Sequence, residues 1–562
     1  MNQAAPLHGC RLLGAFADEH DSLQRALAMQ ARALGIAVES VSDAGREQFY
    51  CLQGQGLAPT HCRLTVVASL ALTGLMATAL ARLRGGQVTD CSVSLPGAGL
   101  QCISQYLAGA TAERGAERLP AGCSSARLRP PFVSADGVVF ELETLDAGPW
   151  LAFWDGLGVA RADSSKGWQG FLLRYARAIA PMPETLCRTL ANLPYAQVVE
   201  HCTAVGMAVT PVHQPGQRNT LTPVGDTPWA FKLHPVAVLP RPCNQALPLS
   251  GLRVIESCRR IQGPLAGHLL AMLGAQVTRL EMPGGDPLRG MAPLAQGCSV
   301  RFDALNGLKA VVELDLKSAS EREQLRRNIA EVDVFLHNWA PGKAEELALD
   351  QADLAQVNPA LTYAYAGGWG NAQVPVGLPG TDFTVQAWSG IAHLIGQGEG
   401  NPGGSLFTVL DVFGGVIAAQ GIVAALLARH LHGHAGRVDS SLLGAADLLC
   451  RSRMTRIRPL SAGVFRCQDA SLAIDCCAPE HLETLARLFD FPMPCAWQTL
   501  REPLALQLAR QPAAHWQARL LAAGVPVAIV RQDLAELQQD PRLAPWLAPG
   551  RYTRVLSPWR FT

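Results

Sequence analysis

One carboxylate in the sequence stands where an enzyme could place a catalytic group. Asp411 follows the apolar run at residues 406–410 and precedes Gly414 and Gly415, which open an apolar segment of helical length. We expect a strand that ends at Asp411 and a helix after it, and the carboxyl end of a strand is where α/β sheets place catalytic groups. A carboxylate there can be a catalytic group, or it can only cap the helix.

Lysine is much rarer than arginine in this chain, and its distribution is uneven. Three of the five lysines, Lys309, Lys317 and Lys343, lie within one short segment. A phosphorylated ligand would account for this clustering, because ammonium groups bind phosphate. Solvated helix ends are the alternative interpretation of each of these lysines.

A glycine pattern shortly before Asp411 has the spacing of a dinucleotide-binding fingerprint but not its structural context. Gly398, Gly400 and Gly403 fit G-x-G-x-x-G, but Pro402 lies inside the pattern and an apolar strand is expected to follow it. Since the fingerprint requires a helix at that place, we interpret the segment as a loop beside a site.

Three alternating histidines are the main candidates for a metal site. His430, His432 and His434 lie at the predicted C-terminal end of the long helix, with few carboxylates nearby. Cations are favoured at that end of a helix dipole, so we interpret them as helix-end residues. The sixteen cysteines include no C-x-x-C pair, and we predict that the protein holds no metal.

Composition narrows the class of protein further. The 562 residues carry a net charge of +1, and 49% of them are hydrophobic. Such a chain can bury a large core and lacks the basic excess of a nucleic-acid binder. Residues 1–19 lack the pattern of a signal peptide, and the cysteines suggest no secreted disulfide framework, so we expect a cytoplasmic protein. Residues 64–80 and 412–428 are apolar, but we predict buried helices rather than membrane spans.

These two apolar stretches belong to an internal repeat. Gly74 matches Gly421, and Gly86-x-Val88 matches Gly436-x-Val438. Further matches follow in the same order along the chain: Pro6 with Pro248, Leu34-Gly35 with Leu273-Gly274, Phe132 with Phe465, and Gly206 with Gly524. Collinear order over several blocks argues against chance. The first copy lacks the central segment that bears the lysines, and its position aligned with Asp411 is close to Leu64.

The repeat predicts two unequal copies with one architecture. We predict a truncated, non-catalytic copy at residues 1–240 and a catalytic copy at 241–562, whose large domain spans about 248–450 and whose small domain spans about 463–535, followed by a C-terminal tail. A Pro-rich stretch at residues 211–248 predicts an extended linker or surface wrap between them.

Alternating elements indicate the fold class of the second copy. We expect strands at residues 253–256, 276–280, 310–314 and 332–336, helices near 265–273 and at 319–329, and in the small domain a strand pair within 463–475 and helices at 479–489 and 513–523. Strands that alternate with helices predict an α/β fold with a doubly wound, mostly parallel, Rossmann-like sheet. The end of each copy predicts a smaller α/β domain.

The second copy carries a series of motifs in a fixed order: G-L-R-V-I-E, Gln262-Gly263-Pro264, E-L-D-L-K, N-W-A-P-G, D-F-T-V-Q-A-W-S-G and the segment around Asp411. In these motifs it resembles the family III CoA-transferases, a group that also contains acyl-CoA racemases. The resemblance covers nearly all of residues 248–562, and the first copy resembles the same family with its middle removed.

This resemblance implies a CoA-transferase with Asp411 as its nucleophile. The carboxylate would attack an acyl-CoA thioester, and an aspartyl-CoA thioester would then pass CoA to a free carboxylic acid. Coenzyme A or acyl-CoA would be a substrate, and the family's CoA-binding positions carry over to Arg259, Gln262, Leu314, Lys317, Asn338 and Trp339. Family members are typically interlaced homodimers, so the resemblance also implies a homodimer, and the first copy either preserves or replaces that assembly. The balanced charge and the buried apolar stretches predict no nucleic-acid or membrane partner.

Departures from the family pattern leave alternatives open. Ala340 replaces a basic residue of the family's N-F-R-P-G, and no Gly-rich loop lies between Leu449 and Gly463. A non-catalytic acyl-CoA-binding scaffold is therefore the main alternative. The racemases need a His before an Asp, and this chain has Gly380-Thr381-Asp382 instead; threonine cannot serve as a general base near neutral pH.

An arginine cluster follows the predicted long helix. Arg451, Arg453, Arg456 and Arg458 lie where some family members have the Gly-rich loop. These guanidinium groups would suit a carboxylate substrate, and an exposed basic loop is the alternative interpretation.

Overall fold

The structure of the chain is a computed structural model. The residues that the structure describes are 10–13, 28–32, 34, 41–43, 61–112, 128–221, 227–237, 241–243, 245–375, 377–399, 406–454, 461–476, 479–494, 496–531 and 533–562. Residues 1–240 are called the N-terminal segment below, and residues 241–562 the C-terminal segment.

The N-terminal segment alternates short strands with helices. Its described strands are β1 (Cys10–Leu13), β2 (Val41–Asp43), β3 (Cys91–Ser94), β4 (Phe132–Val133), β5 (Val139–Glu143), β6 (Ala208–Pro211) and β7 (Trp229–Pro235). Its described helices are α1 (His61–Leu83), α2 (Leu95–Cys102), α3 (Ser104–Thr111), α4 (Ala147–Gly156), α5 (Arg161–Arg177), α6 (Glu184–Ala191), α7 (Tyr195–Val205) and α8 (Pro215–Leu221).

The C-terminal segment is longer and follows the same alternation. Its described strands are β8 (Arg253–Ser257), β9 (Gln276–Glu281), β10 (Leu294–Ala295), β11 (Cys298–Ser299), β12 (Ala310–Glu313), β13 (Val334–His337), β14 (Thr362–Gly367), β15 (His434–Ser441), β16 (Ser461–Arg466), β17 (Ser471–Cys476), β18 (Val527–Ile529), β19 (Leu547–Ala548), β20 (Arg554–Val555) and β21 (Trp559–Phe561). Its described helices are α9 (Gln262–Met272), α10 (Val300–Asn306), α11 (Ala319–Ile329), α12 (Lys343–Glu346), α13 (Gln351–Ala355), α14 (Asp382–Ser389), α15 (Ile391–Glu399), α16 (Val409–His432), α17 (Leu442–Met454), α18 (Pro479–Leu488), α19 (Trp497–Leu508) and α20 (Ala513–Ala522).

The largest sheet has seven strands in the order β12-β9-β8-β13-β14-β15-β7. All neighbouring strands in it are parallel except β15 and β7, which are antiparallel. Val254 and Val334 pack into one apolar core, while Ile255 and Phe335 pack into a second core on the other face. Burial on both faces is the pattern of a parallel sheet covered by helices. The predicted mixed α/β fold with a mostly parallel sheet is confirmed.

The strand predicted at residues 406–410 is wrong. Helix α16 already begins at Val409, and Asp411 lies in its first turn. The helix is apolar on nearly all sides because it is buried on nearly all sides. A short apolar run at the start of such a helix cannot be told from a buried strand by periodicity alone.

Two helices are long and apolar enough to cross a membrane by length and composition. They span Thr65–Leu83 and Val409–His432, and 83% and 89% of their most apolar windows are buried inside the structure. The two helices pack against each other in the main core. A helix that is apolar all round and enclosed by protein is the pattern of a core helix.

Two smaller three-stranded sheets each carry their own core. Strands β4, β5 and β6 pack with α4–α7 around Trp150, Trp154 and Phe171. Strands β16, β17 and β18 pack with α18–α20 around Phe465 and Trp516. The strand pair and helices predicted between residues 463 and 523 therefore match the structure closely.

Each segment adds a strand to the other segment's sheet. Strand β7 forms the edge of the seven-stranded sheet, and β21 pairs antiparallel with β3 in a four-stranded sheet of order β2-β1-β3-β21. The indole of Trp229 in β7 donates to the Ile417 carbonyl over 2.9 Å, and that of Trp559 in β21 donates to the Leu70 carbonyl over 2.8 Å. The Pro-rich stretch is therefore more than an extended linker, because it contains α8 and β7.

Candidate active site

Asp411 lies beside a second carboxyl group in the first turn of α16. Its backbone N–H donates to Asp382 Oδ2 over 2.6 Å. Asp382 is the first residue of α14, and its side chain is buried. The Gln386 amide, one turn later, donates to Asp382 Oδ1 and to the Phe407 carbonyl, the latter over 2.9 Å. This network ties the first turns of α14 and α16 together.

Burial dominates the electrostatics of this pair. It raises the pKa of Asp411 to about 7, while the Arg260 guanidinium opposes the rise and Glu143 adds to it. Burial, and then the charge of Asp411, raise the pKa of Asp382 well above its usual range. Two neighbouring carboxyls, one buried and one half-buried, lose their protons in separate steps. Near neutral pH the pair therefore carries fewer than two negative charges.

A third carboxyl, which is buried, reaches this region from the N-terminal segment. Glu143, at the end of β5, accepts hydrogen bonds from Tyr175 Oη over 2.5 Å and from Thr381 Oγ1 over 3.1 Å. Burial raises the pKa of Glu143, and the bond from Tyr175 opposes that rise. Neither Glu143 nor Tyr175 was predictable from the sequence, because no spacing in it signals a contact between residues 143 and 381.

The structure brings most of the predicted CoA-binding residues to one edge of the large sheet. Arg259, Asn338 and Leu314 follow β8, β13 and β12, whose carboxyl ends share that edge because the strands are parallel. Asn338 accepts from the Arg259 backbone N–H over 2.9 Å and donates to its carbonyl over 2.8 Å. Trp339 packs against the cluster that contains Leu314 and donates to Ser257 Oγ over 3.1 Å.

Gln262 connects this edge to the helix that carries Asp411. It is the first residue of α9, is buried, and donates to the Gly367 carbonyl over 3.2 Å. A Cβ at Gly414 would lie 3.1 Å from Gln262 Nε2, so the two helices touch within one turn of Asp411. Glycine at position 414 permits this close approach.

The lysine cluster does not form one site. Lys309 is buried in an ion pair with Glu256 at 2.7 Å and also donates to the Pro264 carbonyl and to Asn306. The interpretation of Lys309 as a ligand-binding cation is therefore wrong, because its charge is used inside the core. Lys343 pairs with Glu346 on the surface. Lys317 is exposed on the loop that follows β12.

The other candidate ligands are not assembled into a site in the described part of the chain. Among the described residues, no group of three or more His, Cys, Asp or Glu side chains is arranged to hold a metal ion. His430 Nδ1 lies 2.9 Å from the Leu426 carbonyl of its own helix. Gly398 lies in helix α15, so the loop expected there is wrong at that residue. Gly400 and Gly403 of the same pattern, and Arg456 and Arg458, lie outside the described residues. Of Arg451 and Arg453 the structure describes the helical backbone.

Comparisons with known proteins identify the family. The model of CoA-transferase family III matches residues 249–545. An acetyl-CoA:oxalate CoA-transferase of Acetobacter aceti is 31% identical over 336 residues, which are 54% of this chain and 85% of that protein. A succinyl-CoA:mesaconate CoA-transferase of Haloarcula hispanica is 28% identical over 332 residues, which are 52% of this chain and 83% of that protein.

A solved structure agrees with this assignment. The crystal structure of a point mutant of the Rv3272 protein of Mycobacterium tuberculosis matches with a TM-score of 0.50 and 28% identity. The match covers 57% of this chain and 94% of that one. Together with the family model and the relatives, it leads to one conclusion: the chain belongs to CoA-transferase family III.

Proposed function

We propose that the protein transfers coenzyme A from an acyl-CoA thioester to a free carboxylic acid, with Asp411 as the nucleophile. The observation that carries the proposal is the difference in exposure between the paired carboxyls. Asp382 is 1% exposed, whereas Asp411 is half-buried at the start of α16. Only Asp411 can therefore meet a substrate, while Asp382 holds its backbone in place.

The reaction proceeds through two exchanges at the Asp411 carboxyl. A carboxylate oxygen attacks the thioester carbonyl, the carbon–sulfur bond breaks, and CoA leaves as a thiolate from a mixed anhydride. The thiolate then attacks the aspartyl carbonyl and releases the donor acid, which leaves an aspartyl-CoA thioester. The acceptor carboxylate repeats the two steps in reverse. Covalent catalysis replaces one difficult exchange with easier ones.

We assign the CoA moiety to the region between the sheet edge and Asp411. Its nucleotide end is assigned to the edge lined by Leu314, Lys317, Asn338 and Trp339, because exposed Lys317 supplies a cation and Trp339 an aromatic face. Gln262 lies between that edge and α16. The thioester end of CoA would then reach the first turn of α16.

Removal of the nucleophile tests the proposal. We expect Asp411→Asn to abolish CoA transfer, with a loss of at least about 10³-fold, because an amide cannot form the acyl intermediate. Hydroxylamine should cleave an acyl-enzyme formed by the unaltered protein, detected by mass spectrometry as a hydroxamate at Asp411. Glu346→Gln, which alters an exposed carboxylate on the same segment, is the matched control.

Two outcomes would contradict this assignment. Transfer at an undiminished rate in Asp411→Asn would exclude Asp411 as the nucleophile. Binding of CoA without turnover across a panel of acids would favour an acyl-CoA-binding scaffold, the alternative that Ala340 suggests.

We further propose that the N-terminal segment is a truncated copy of the same fold that fills the place of a second subunit. The indoles of Trp229 and Trp559 bind carbonyls four residues before Gly421 and Gly74. Both glycines contact those indoles closely: a Cβ would lie 2.6 Å from Cδ1 of Trp229 and 2.8 Å from Cδ1 of Trp559. Two matched contacts, each across the segment boundary, support a pseudo-twofold arrangement.

This proposal assigns one catalytic site to each chain. With Gly74 matched to Gly421, the position that corresponds to Asp411 is Leu64. The strand residues that pair with the two tryptophans, Ser440 and Val93, also match in this register. The match of Val88 with Val438 made from sequence therefore differs by three residues from the match that the strand pairing gives. The homodimer implied by the family resemblance stays a prediction.

A further inference from the structure

The N-terminal end of α14 is held by the N-terminal segment. Thr381 stands at its N-cap position, where a threonine hydroxyl commonly accepts a hydrogen bond from the helix backbone, yet its side chain makes no such bond. Its hydroxyl instead donates to Glu143 Oε2 over 3.1 Å and meets the Thr384 hydroxyl at 2.9 Å. A capping group of one segment is thus used to bind a carboxyl group of the other.

Contacts other than the one with Thr381 also hold the Glu143 side chain in place. Tyr175 donates to the same oxygen, Oε2, and the Tyr175 ring meets the edge of Phe383 with a centroid distance of 5.1 Å. The Arg174 guanidinium lies 3.4 Å from the centroid of the Phe383 ring, and Glu141 binds it through both carboxylate oxygens. The side chains of Glu141, Glu143, Arg174 and Phe383 are all at least nine-tenths buried.

Thr381 is one residue away from the carboxyl group that holds Asp411. Asp382 follows it in the chain and accepts the Asp411 backbone N–H over 2.6 Å. A displacement of Thr381 therefore moves the Asp382 carboxyl and, through it, the first turn of α16. Packed interiors transmit such displacements because they have few voids to absorb them.

We infer that Glu143 is a positioning residue of the CoA-transfer site, contributed by the N-terminal segment and acting on Asp411 through Thr381 and Asp382. This inference rests on the proposed function of Asp411. It assigns to the truncated segment a task in the reaction beyond covering apolar surface.

A double-mutant cycle tests this path. We expect Glu143→Ala and Thr381→Val each to lower kcat about tenfold, because small misplacements of a reacting group are costly. The KM for acyl-CoA should change little, since the CoA-binding residues lie at the sheet edge. The double variant should be no slower than Glu143→Ala alone, because Glu143→Ala already removes the contact that Thr381→Val removes.

Two further variants separate positioning from a general loss of structure. Thr381→Ser restores the hydroxyl and should recover most of the rate lost in Thr381→Val. Glu184→Gln removes an exposed carboxylate of the same segment, paired with Arg188 on the surface, and should leave kcat unchanged. Thermal unfolding of every variant identifies any loss of rate that follows from a loss of folded protein.

The outcomes distinguish this inference from the proposed function. If the two single losses multiply in the double variant, or if KM rises as kcat falls, the path through Thr381 is wrong while Asp411 keeps its role. If the unaltered protein transfers no CoA, or if Asp411→Asn transfers it normally, the proposed function is wrong and the role of Glu143 in it is wrong as well.

Discussion

The rate of CoA transfer should depend on pH near neutrality, because it depends on whether Asp411 is ionised. Only the carboxylate form can attack a thioester, and burial raises its pKa to about 7. The rate of transfer should therefore fall as pH falls through this value, since protonation removes the nucleophile. Arg260 holds the pKa down, because a nearby positive charge favours the ionised form.

Replacement of Arg260 should move the acid limb of the pH–rate profile. Arg260 has a φ of 67°, and asparagine is among the side chains that tolerate this conformation, so Arg260→Asn removes the charge without backbone strain. We expect the midpoint to shift to higher pH by about one unit. The profile of kcat/KM against pH measures the shift.

The charged groups that act on Asp411 and Asp382 come from several elements. Asp382 lies in α14, Glu143 in β5 and Arg260 in the loop after β8.

Arg253→Gln, which removes an exposed guanidinium paired with Glu331, is the control for Arg260→Asn and should leave the midpoint of the pH–rate profile in place. A midpoint that stays at the same pH in Arg260→Asn would show that Arg260 does not act on Asp411.

Single residues differed in how far the sequence could predict their roles. Asp411 was singled out by its flanking pattern and by the family resemblance, but the strand expected before it is the start of a helix, and its role as nucleophile stays a prediction. The role of Lys309 was not predictable, since a buried ion pair with Glu256 and a phosphate contact require the same residue type. Glu143 was not predictable either, because its role depends on a contact between distant parts of the chain.

Helices α1 and α16 contact strands β21 and β7 at one glycine each, and these contacts can be tested directly. A Cβ at Gly421 would lie 2.6 Å from Trp229 Cδ1, and one at Gly74 would lie 2.5 Å from Cys91 Sγ. We expect Gly421→Ala and Gly74→Ala to lower the free energy of unfolding by about 1–3 kcal/mol, because overpacking displaces well-packed neighbours. Denaturant unfolding measures the change.

A helical glycine without such neighbours provides the control. Gly99 lies inside α2, and a Cβ there would meet nothing within 4 Å. Gly99→Ala should raise the free energy of unfolding by up to about 1 kcal/mol, because alanine favours the helix. Equal effects at all three glycines would contradict the close contacts of the two indoles.

The elements themselves were predicted well where local pattern decides them. The helix at Ala319–Ile329 was placed correctly because its polar composition and the Ser318 cap mark its limits. The start of α16 was misplaced because a fully buried helix has no polar face to reveal its period. Strand β7 was missed because its Pro-rich surroundings indicate an extended chain, and only pairing with β15 makes that chain a strand.

On the scale of the whole molecule, the parallel sheet of the C-terminal segment followed from its alternating elements. The exchange of β7 and β21 between sheets did not, because strand pairing over such separations leaves no local trace in the sequence. The consequence is that neither segment completes its own sheet. Truncation of the chain before Trp559 would leave β3 without its antiparallel neighbour.

The number of acyl sites per chain tests the pairing of the two segments. If the N-terminal segment replaces a second subunit, a donor acyl-CoA should label one residue per chain, because Leu64 occupies the position of Asp411 in that segment. Mass spectrometry of the hydroxylamine-treated protein counts the labels, and light scattering gives the mass of the assembly. We expect one label per chain whether the protein is a monomer or a dimer, and none in Asp411→Asn. Two labels per chain would show that the N-terminal segment has a catalytic site of its own.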